Sequence, residues 1–262
     1  MFSLQEAAEV LGVHYQTAYG WVRSGVLPAR KAGRDYQVSD ADLRALRAER
    51  SAGRPPRREV RVRDWAAQAD LLYGAIVSGA ETAARSRLQR LAVGVRMIEI
   101  CEQVIGPALR RVGADWAAGT VTIAVEHRAT AICERLIASQ SGRQPRGRPR
   151  GVAVVATPPE ERHALPALMA AACLREDRWL VHHLACDLPA GEVGRLATSV
   201  GASLVVLSSA TSDAGRRAAD EAARLTAADP ALRVLVGVAG ASLYDLVRLA
   251  RATGGSRLVE TV

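Results

Sequence analysis

Five side chains in the middle of this chain have types and spacing that suit ligation chemistry: Trp116, Glu126, His127, Glu161 and His163. Nine residues separate Trp116 from the pair Glu126-His127, and His163 follows His127 by 36 residues. A neutral imidazole can offer one ring nitrogen to a metal while a carboxylate fixes the tautomer through the other. Glu161, two residues before His163, is spaced for that second task. By residue type alone, Trp116 equally fits a core or interface position, His127 a satisfied polar group and His163 an exposed loop residue. Cys101, Cys133, Cys173 and Cys186 form no C-x-x-C pair, which predicts reduced, mostly buried thiols and argues against a zinc site or disulfide framework.

The elements that must position these residues can be read from periodicity. Residues 65–79, 81–94, 96–117 and 120–140 are compatible with helix, with Gly79, Gly94 and Gly119 near the breaks, and four helices of this length predict a bundle. The stop at Gly119 puts Trp116 at the end of one helix, and Thr120 is expected to cap the next. Ile123, Glu126 and His127 can then share a helix face below Trp116.

From residue 152 onward strands and helices alternate. Strands are expected at 152–156, 179–184, 204–208, 233–238 and 257–259, with helices at 165–172, 192–200, 214–225 and 243–250. That pattern predicts a five-stranded, doubly wound α/β domain, whose ligand site lies beyond the carboxyl ends of the strands. The loops 157–164, 208–212 and 237–241 would meet there. His182 and His183 fall on a strand and are expected to be structural. No G-x-G-x-x-G, P-loop, G-x-S-x-G or H-E-x-x-H motif occurs in this half, so the expectation is a binding protein with no catalytic residue.

The amino-terminal segment reads differently. Ser3-Leu4-Gln5-Glu6 is a capping box, Gly12 ends a first short helix, His14 is expected to help form the turn, and Tyr15 to Arg23 form a second helix. Residues 24–31 and 33–38 suggest a two-stranded wing with a Gly turn, and Ser39 can cap a helix over 40–50.

Composition limits the reading further. The chain has 262 residues, 49% hydrophobic and 24% charged, enough for two or three domains. It has no apolar run of spanning length and no signal-like start, which predicts a cytoplasmic protein without membrane segments. Residues 1–64 hold 12 Lys+Arg against 8 Asp+Glu, residues 141–150 hold 4 against none, and residues 151–262 hold 11 against 12. Cations concentrated at one end favour attraction to a phosphate backbone. The expected domains are therefore 1–50, a linker at 51–64, a bundle at 65–140, a basic linker at 141–151 and an α/β domain at 152–262.

Residues 1–50 resemble the winged helix-turn-helix of MerR-type regulators and excisionase-type domains. The resemblance implies operator DNA as partner, with Tyr15, Gln16, Thr17 and Tyr19 contacting bases or phosphates and Arg23, Arg30, Lys31 and Arg34 on the backbone. The string Gly113 to His127 resembles the W-x9-E-H signature of the helical cap in CarH/LitR-type cobalamin photoreceptors. It implies that Trp116 packs over the upper corrin face and that Glu126 and His127 contact the ligand, with Ile123 on the same face. The last domain looks like the flavodoxin-like cobalamin-binding domain, with its Asp/Glu-x-His-x-x-Gly, Ser-x-Leu and Gly-Gly motifs. Glu161 and His163 match, with Pro166 in place of Gly; Ser208 is kept with Ala210 for Leu, and Gly237 is kept with Val238 for the second Gly.

On that resemblance His163 is the lower axial cobalt ligand, and the Ser208 and Gly237 loops line a channel for the nucleotide tail. The chain is expected to be a repressor that binds DNA as an adenosylcobalamin-dependent homo-oligomer, a dimer or tetramer, and releases it on photolysis of the Co–C bond. Some light-sensing members carry a cobalt-capturing His directly after the signature Trp. Ala117 stands there in this chain, so its photoproduct should differ. A regulator of the same fold that senses another ligand or partner, and a corrinoid methyltransferase subunit, are the alternatives.

Overall fold

A computed structural model describes residues 1–33, 35–51, 64–140, 147–252 and 260–261. Arg34, most of the first linker, part of the second and the expected strand at 257–259 lie outside the described residues. The chain divides into two compact units, Met1–Asp64 and Trp65–Val262.

In the first unit β1 (Phe2–Ser3) leads into α1 (Leu4–Val10). The capping box closes as the sequence suggests: Glu6 accepts the Ser3 N–H at 2.7 Å and the Ser3 hydroxyl accepts the Glu6 N–H at 3.3 Å. His14 caps α2 (Tyr15–Ser24), its Nδ1 accepting the Gln16 N–H at 3.3 Å, and Gly25 ends that helix at φ 76°. The wing is β2 (Arg30–Ala32) against β3 (Asp35–Val38), followed by α3 (Asp40–Ser51), which Ser39 caps through the Asp42 N–H. The sheet has three strands, not the two expected, because Phe2 pairs with Val38 along the free edge of β3. Leu4, Ala7, Leu11, Ala18, Leu27, Val38, Leu43 and Leu46 fill the core beneath it.

The second unit starts with α4 (Trp65–Ser78) and α5 (Glu81–Leu91), then α6 (Met97–Ile100), a π turn over Cys101–Ile105 and α7 (Gly106–Ala117), and closes its helical part with α8 (Ile123–Gln140). The single helix expected over 96–117 is thus interrupted. Pro107 lacks an N–H, and its ring would crowd the carbonyl four residues back in a regular α-helix. The π turn, closed by the Gly106 N–H on the Cys101 carbonyl, widens the helix just before it. A Cβ on Gly106 would lie 3.0 Å from the Cys101 oxygen. Gly106→Ala should therefore destabilise this unit by about 1–3 kcal/mol, seen as a lowered calorimetric Tm; an unchanged Tm would mean that the turn relaxes freely.

The remainder alternates β4 (Val152–Ala156), α9 (Ala164–Glu176), β5 (Leu180–His183), α10 (Glu192–Ser199), β6 (Leu204–Ser208), α11 (Ser212–Ala228), β7 (Arg233–Gly237), α12 (Leu243–Arg251) and β8 (Glu260–Thr261). All five strands are parallel in the order β5-β4-β6-β7-β8, the flavodoxin-like order. Alternation sends Ala153, Val155, Leu204 and Val206 to one face of the sheet and Val154, Ala156, Val205 and Leu207 to the other. The first face continues into the helical bundle: Ile132, Cys133 and Leu136 of α8 share a core with Ala167, Ala170, Ala171 and Leu174 of α9. On the edge strand, His182 is exposed and His183 half-buried, with its Nε2 buried; burial first and Arg175 second push the His183 pKa down, which favours a neutral structural imidazole. Among the described residues no helix is long and apolar enough to cross a membrane.

Two carboxylates are exchanged across the seam between bundle and sheet. Glu176, at the far end of α9, accepts the Met97 N–H at 2.8 Å, and Glu102 of the π turn accepts the Leu243 N–H at the start of α12. Since α9 ends near the amino edge of the sheet and α12 begins at its carboxyl edge, α6 to α7 run from the first edge toward the second.

Candidate functional site

Strand order reverses between β4 and β6, and the loops that follow these strands form the crevice where such sheets receive ligands. Glu161 spans it. Its Oε2 accepts the Ala210 N–H at 2.8 Å from the loop after β6, and its Oε1 accepts the His163 N–H at 2.9 Å within its own loop. The Thr157 hydroxyl donates to the Glu161 carbonyl at 3.2 Å, which closes the loop on itself. The carboxylate is 2% exposed. Burial alone would raise its pKa, but the N–H groups of Ala210 and His163, together with the His163 imidazole, hold it below the usual carboxylate value.

His163 takes the position before the first turn of α9, and its Nδ1 lies 2.5 Å from Glu161 Oε1. An ionised carboxylate accepts only, so Nδ1 carries a proton, and in the neutral ring Nε2 is the nitrogen that keeps a lone pair. The side chain is 63% exposed. A single, largely exposed imidazole whose Nδ1 is engaged by a carboxylate suits a metal that brings its other ligands with it. Pro166, where the motif has Gly, sits in the first turn of α9, where a missing N–H breaks no helical bond.

The neighbouring loops are tied by a residue that the motif does not name. Ser209 donates both its hydroxyl and its N–H to the Gly237 carbonyl at 2.8 Å, while Ser208 is the buried last residue of β6, paired in register with Gly237. A Cβ on Gly237 would meet only ordinary contacts, at 3.9 Å or more. The conformational freedom in this loop is used at Gly240, at φ 87°. Adjacent serines gave the sequence no means of telling the tether from its neighbour.

On the bundle side, Trp116 lies in the last turn of α7 and is 49% exposed. Gly119 at φ 73° turns the chain, with its N–H on the Trp116 carbonyl and the Thr120 N–H on that of Asp115. Thr120 is not the cap of α8: its hydroxyl donates back to the Asp115 carbonyl at 2.9 Å, and Thr122 accepts the Val125 N–H instead. Asp115 is also held by the Tyr73 hydroxyl at 2.5 Å, and Arg111 stacks 3.9 Å above the Tyr73 ring. The helix end that presents Trp116 is thereby fixed. Ile123, 51% exposed, opens α8, and one turn further Glu126 is gripped by the Thr130 hydroxyl at 3.0 Å and by His127 Nδ1 at 2.5 Å. His127 is exposed and, like His163, directs its carboxylate bond through Nδ1.

The exchanged carboxylates orient this end of the bundle. From Glu102, level with the carboxyl edge of the sheet, the helix continues 14 residues to Trp116, a rise of ~21 Å at ~1.5 Å per residue. Trp116 thus lies at the end of α7, and Ile123, Glu126 and His127 lie in the first turns of α8, on either side of the turn at residues 118–122. This end of the bundle presents two exposed large apolar side chains beside a paired carboxylate and imidazole.

In the first unit Tyr15, Gln16 and Thr17 are exposed on the start of α2, as are Arg23 on its last turn and Arg30 and Lys31 on the wing. Tyr19 is half-buried, stacked on Tyr15 with centroids 6.3 Å apart and edge-on to Tyr36 at 6.0 Å. Packing thus takes up much of its ring. Arg34, expected on the wing, lies outside the described residues.

Comparison with known proteins agrees with this division. Residues 1–51 match the helix-turn-helix domain family, and residues 68–139, which cover most of the bundle, match the B12 binding domain family. The HTH-type transcriptional repressor CarH of Myxococcus xanthus is 32% identical over 161 residues, or 61% of this chain and 54% of that protein. The chain thus spans about half the length of this curated relative. A Methanosarcina barkeri monomethylamine corrinoid protein shares the fold, with a TM-score of 0.57 at 15% identity over 71% of this chain and 97% of its own. The chain thus matches a helix-turn-helix domain over residues 1–51 and a B12 binding domain over residues 68–139, and it is similar to a CarH-type repressor over 161 residues.

Proposed function

We propose that this protein is a cobalamin-dependent transcriptional repressor that binds operator DNA as an adenosylcobalamin-dependent homo-oligomer and releases it on illumination. The observation that carries the reading is the Glu161–His163 pair at the β4/β6 switch point, which engages Nδ1 and leaves Nε2 outside the bond. His163 would hold the cobalt from below, with Glu161 keeping its tautomer. Trp116 and Ile123 would cover the upper face and exclude water, with Glu126 and His127 as polar contacts. Bound adenosylcobalamin supplies a weak, light-sensitive Co–C bond. Ala117 offers no donor beside Trp116, so the protein is expected to pass through the light step without an imidazole from that position.

The first unit would deliver the response. Gln16 and Thr17 on α2 would meet base edges, and Tyr15, Arg23, Arg30 and Lys31 the sugar-phosphate backbone. The fold shared with a corrinoid protein also fits a methyltransferase subunit, but residues 1–51 favour a DNA reader. The test is purification with adenosylcobalamin in darkness, followed by operator binding before and after green light. The expected result is a protein-bound corrinoid spectrum and DNA affinity that falls on illumination. No bound corrinoid would refute the ligand, and equal DNA affinity in dark and light would refute the light response.

A further inference from the structure

The carboxylate that the π turn presents to the sheet, Glu102, belongs to none of the ligand motifs. Glu102 Oε1 accepts the Leu243 N–H and the Ser242 hydroxyl, the latter at 3.2 Å. Ser242 in turn accepts the Tyr244 N–H at 3.1 Å, so one bundle side chain completes the cap of α12. The loop just before that cap, after β7, contains Gly240 at φ 87° and is fastened to the loop after β6 through Ser209 and Gly237. The other direction leads to the ligand cover: the same helix that carries Glu102 ends in Trp116.

The π turn is what places Glu102 toward the start of α12. It departs from the regular helix pattern, and a Cβ on Gly106 would crowd the Cys101 carbonyl at 3.0 Å. Cobalt has one lower axial position. If His163 occupies it, the nucleotide that a complete cobalamin carries below the ring is displaced and has to lie among the loops on the α/β side. The loops after β6 and β7 are the ones next to the switch point.

We infer that Glu102 is a positioning residue that joins the loop after β7, where the displaced nucleotide is housed, to the helix that carries Trp116. This rests on the corrinoid reading above and adds selectivity for the complete cofactor. Glu176 provides the comparison: it is a carboxylate of the same kind, bridging the same seam in the opposite sense at the other end.

The experiment measures Kd for adenosylcobalamin and for adenosylcobinamide, which lacks the lower nucleotide, in wild type, Glu102→Gln, Glu102→Ala and Glu176→Gln. Wild type should prefer the complete cobalamin. Both Glu102 variants should cut that preference by about tenfold, the loss expected for a charge-assisted hydrogen bond, with the cobinamide Kd unchanged. Glu176→Gln should leave the ratio as it is. A Glu102 variant that weakens both ligands equally, or neither, overturns the inference and leaves the corrinoid reading standing. Wild type that binds neither ligand overturns both.

Discussion

His163→Ala should remove axial ligation of the corrinoid and weaken its binding by roughly 100-fold or more, since loss even of a supporting residue costs about 10–100-fold at such sites. The side chain is mostly exposed, and its only described partner is Glu161. Stability should therefore change by no more than about 0.5 kcal/mol, which separates ligand loss from misfolding. Added imidazole should restore the bound-corrinoid absorption spectrum. Glu161→Gln should fall between wild type and His163→Ala, because it keeps the shape but leaves an amide where the Ala210 and His163 N–H groups need a charged acceptor. The sign of its pH dependence follows from the lowered folded pKa. The stability that Glu161 contributes is fully present above its ordinary value of 4.5 and fades as pH falls through the folded value. A His163→Ala protein that retains the wild-type spectrum and Kd would end the axial-ligand assignment.

What could be read in the sequence depended on whether the partners were local. Glu161 and His163 are two residues apart after a short apolar strand, so their pairing was visible, as were the capping box at Ser3 and the helix end after Trp116. The Ala210 N–H that anchors Glu161 comes from 49 residues away and is a backbone donor, which leaves no mark in residue type. The same is true of Glu102 and Glu176, which cap helices that their own periodicity does not adjoin. The π turn had a signal in Gly106-Pro107, but an apolar stripe running through 96–117 overrode it. β1 failed for another reason: two residues are too few to establish alternation, and its pairing with β3 arises only when the chain folds. Local chemistry thus made the paired side chains visible, while the supports that hold them came from tertiary contacts.

Leu27→Ala should abolish DNA binding while leaving the corrinoid site intact. Leu27 is fully buried in a small core whose other large members are Leu4, Leu11, Val38, Leu43 and Leu46. Truncating such a side chain costs about 2–5 kcal/mol in lost burial and residual cavity. A unit of this size has only about 3–8 kcal/mol in total, so most or all of its stability is at stake. The core of the second unit is built from other residues and shares none with the first. Calorimetry should therefore lose or strongly lower one transition and keep the other, amide exchange should rise across residues 1–51 alone, and the adenosylcobalamin spectrum and Kd should match wild type. Loss of the corrinoid in this variant would mean that the second unit depends on the first for its fold. Retained operator affinity would mean that the core tolerates the cavity. If the two units separate in this way, ligand capture on the proposed reading would need only the unit from Trp65 onward, and the DNA response would need the first unit folded as well.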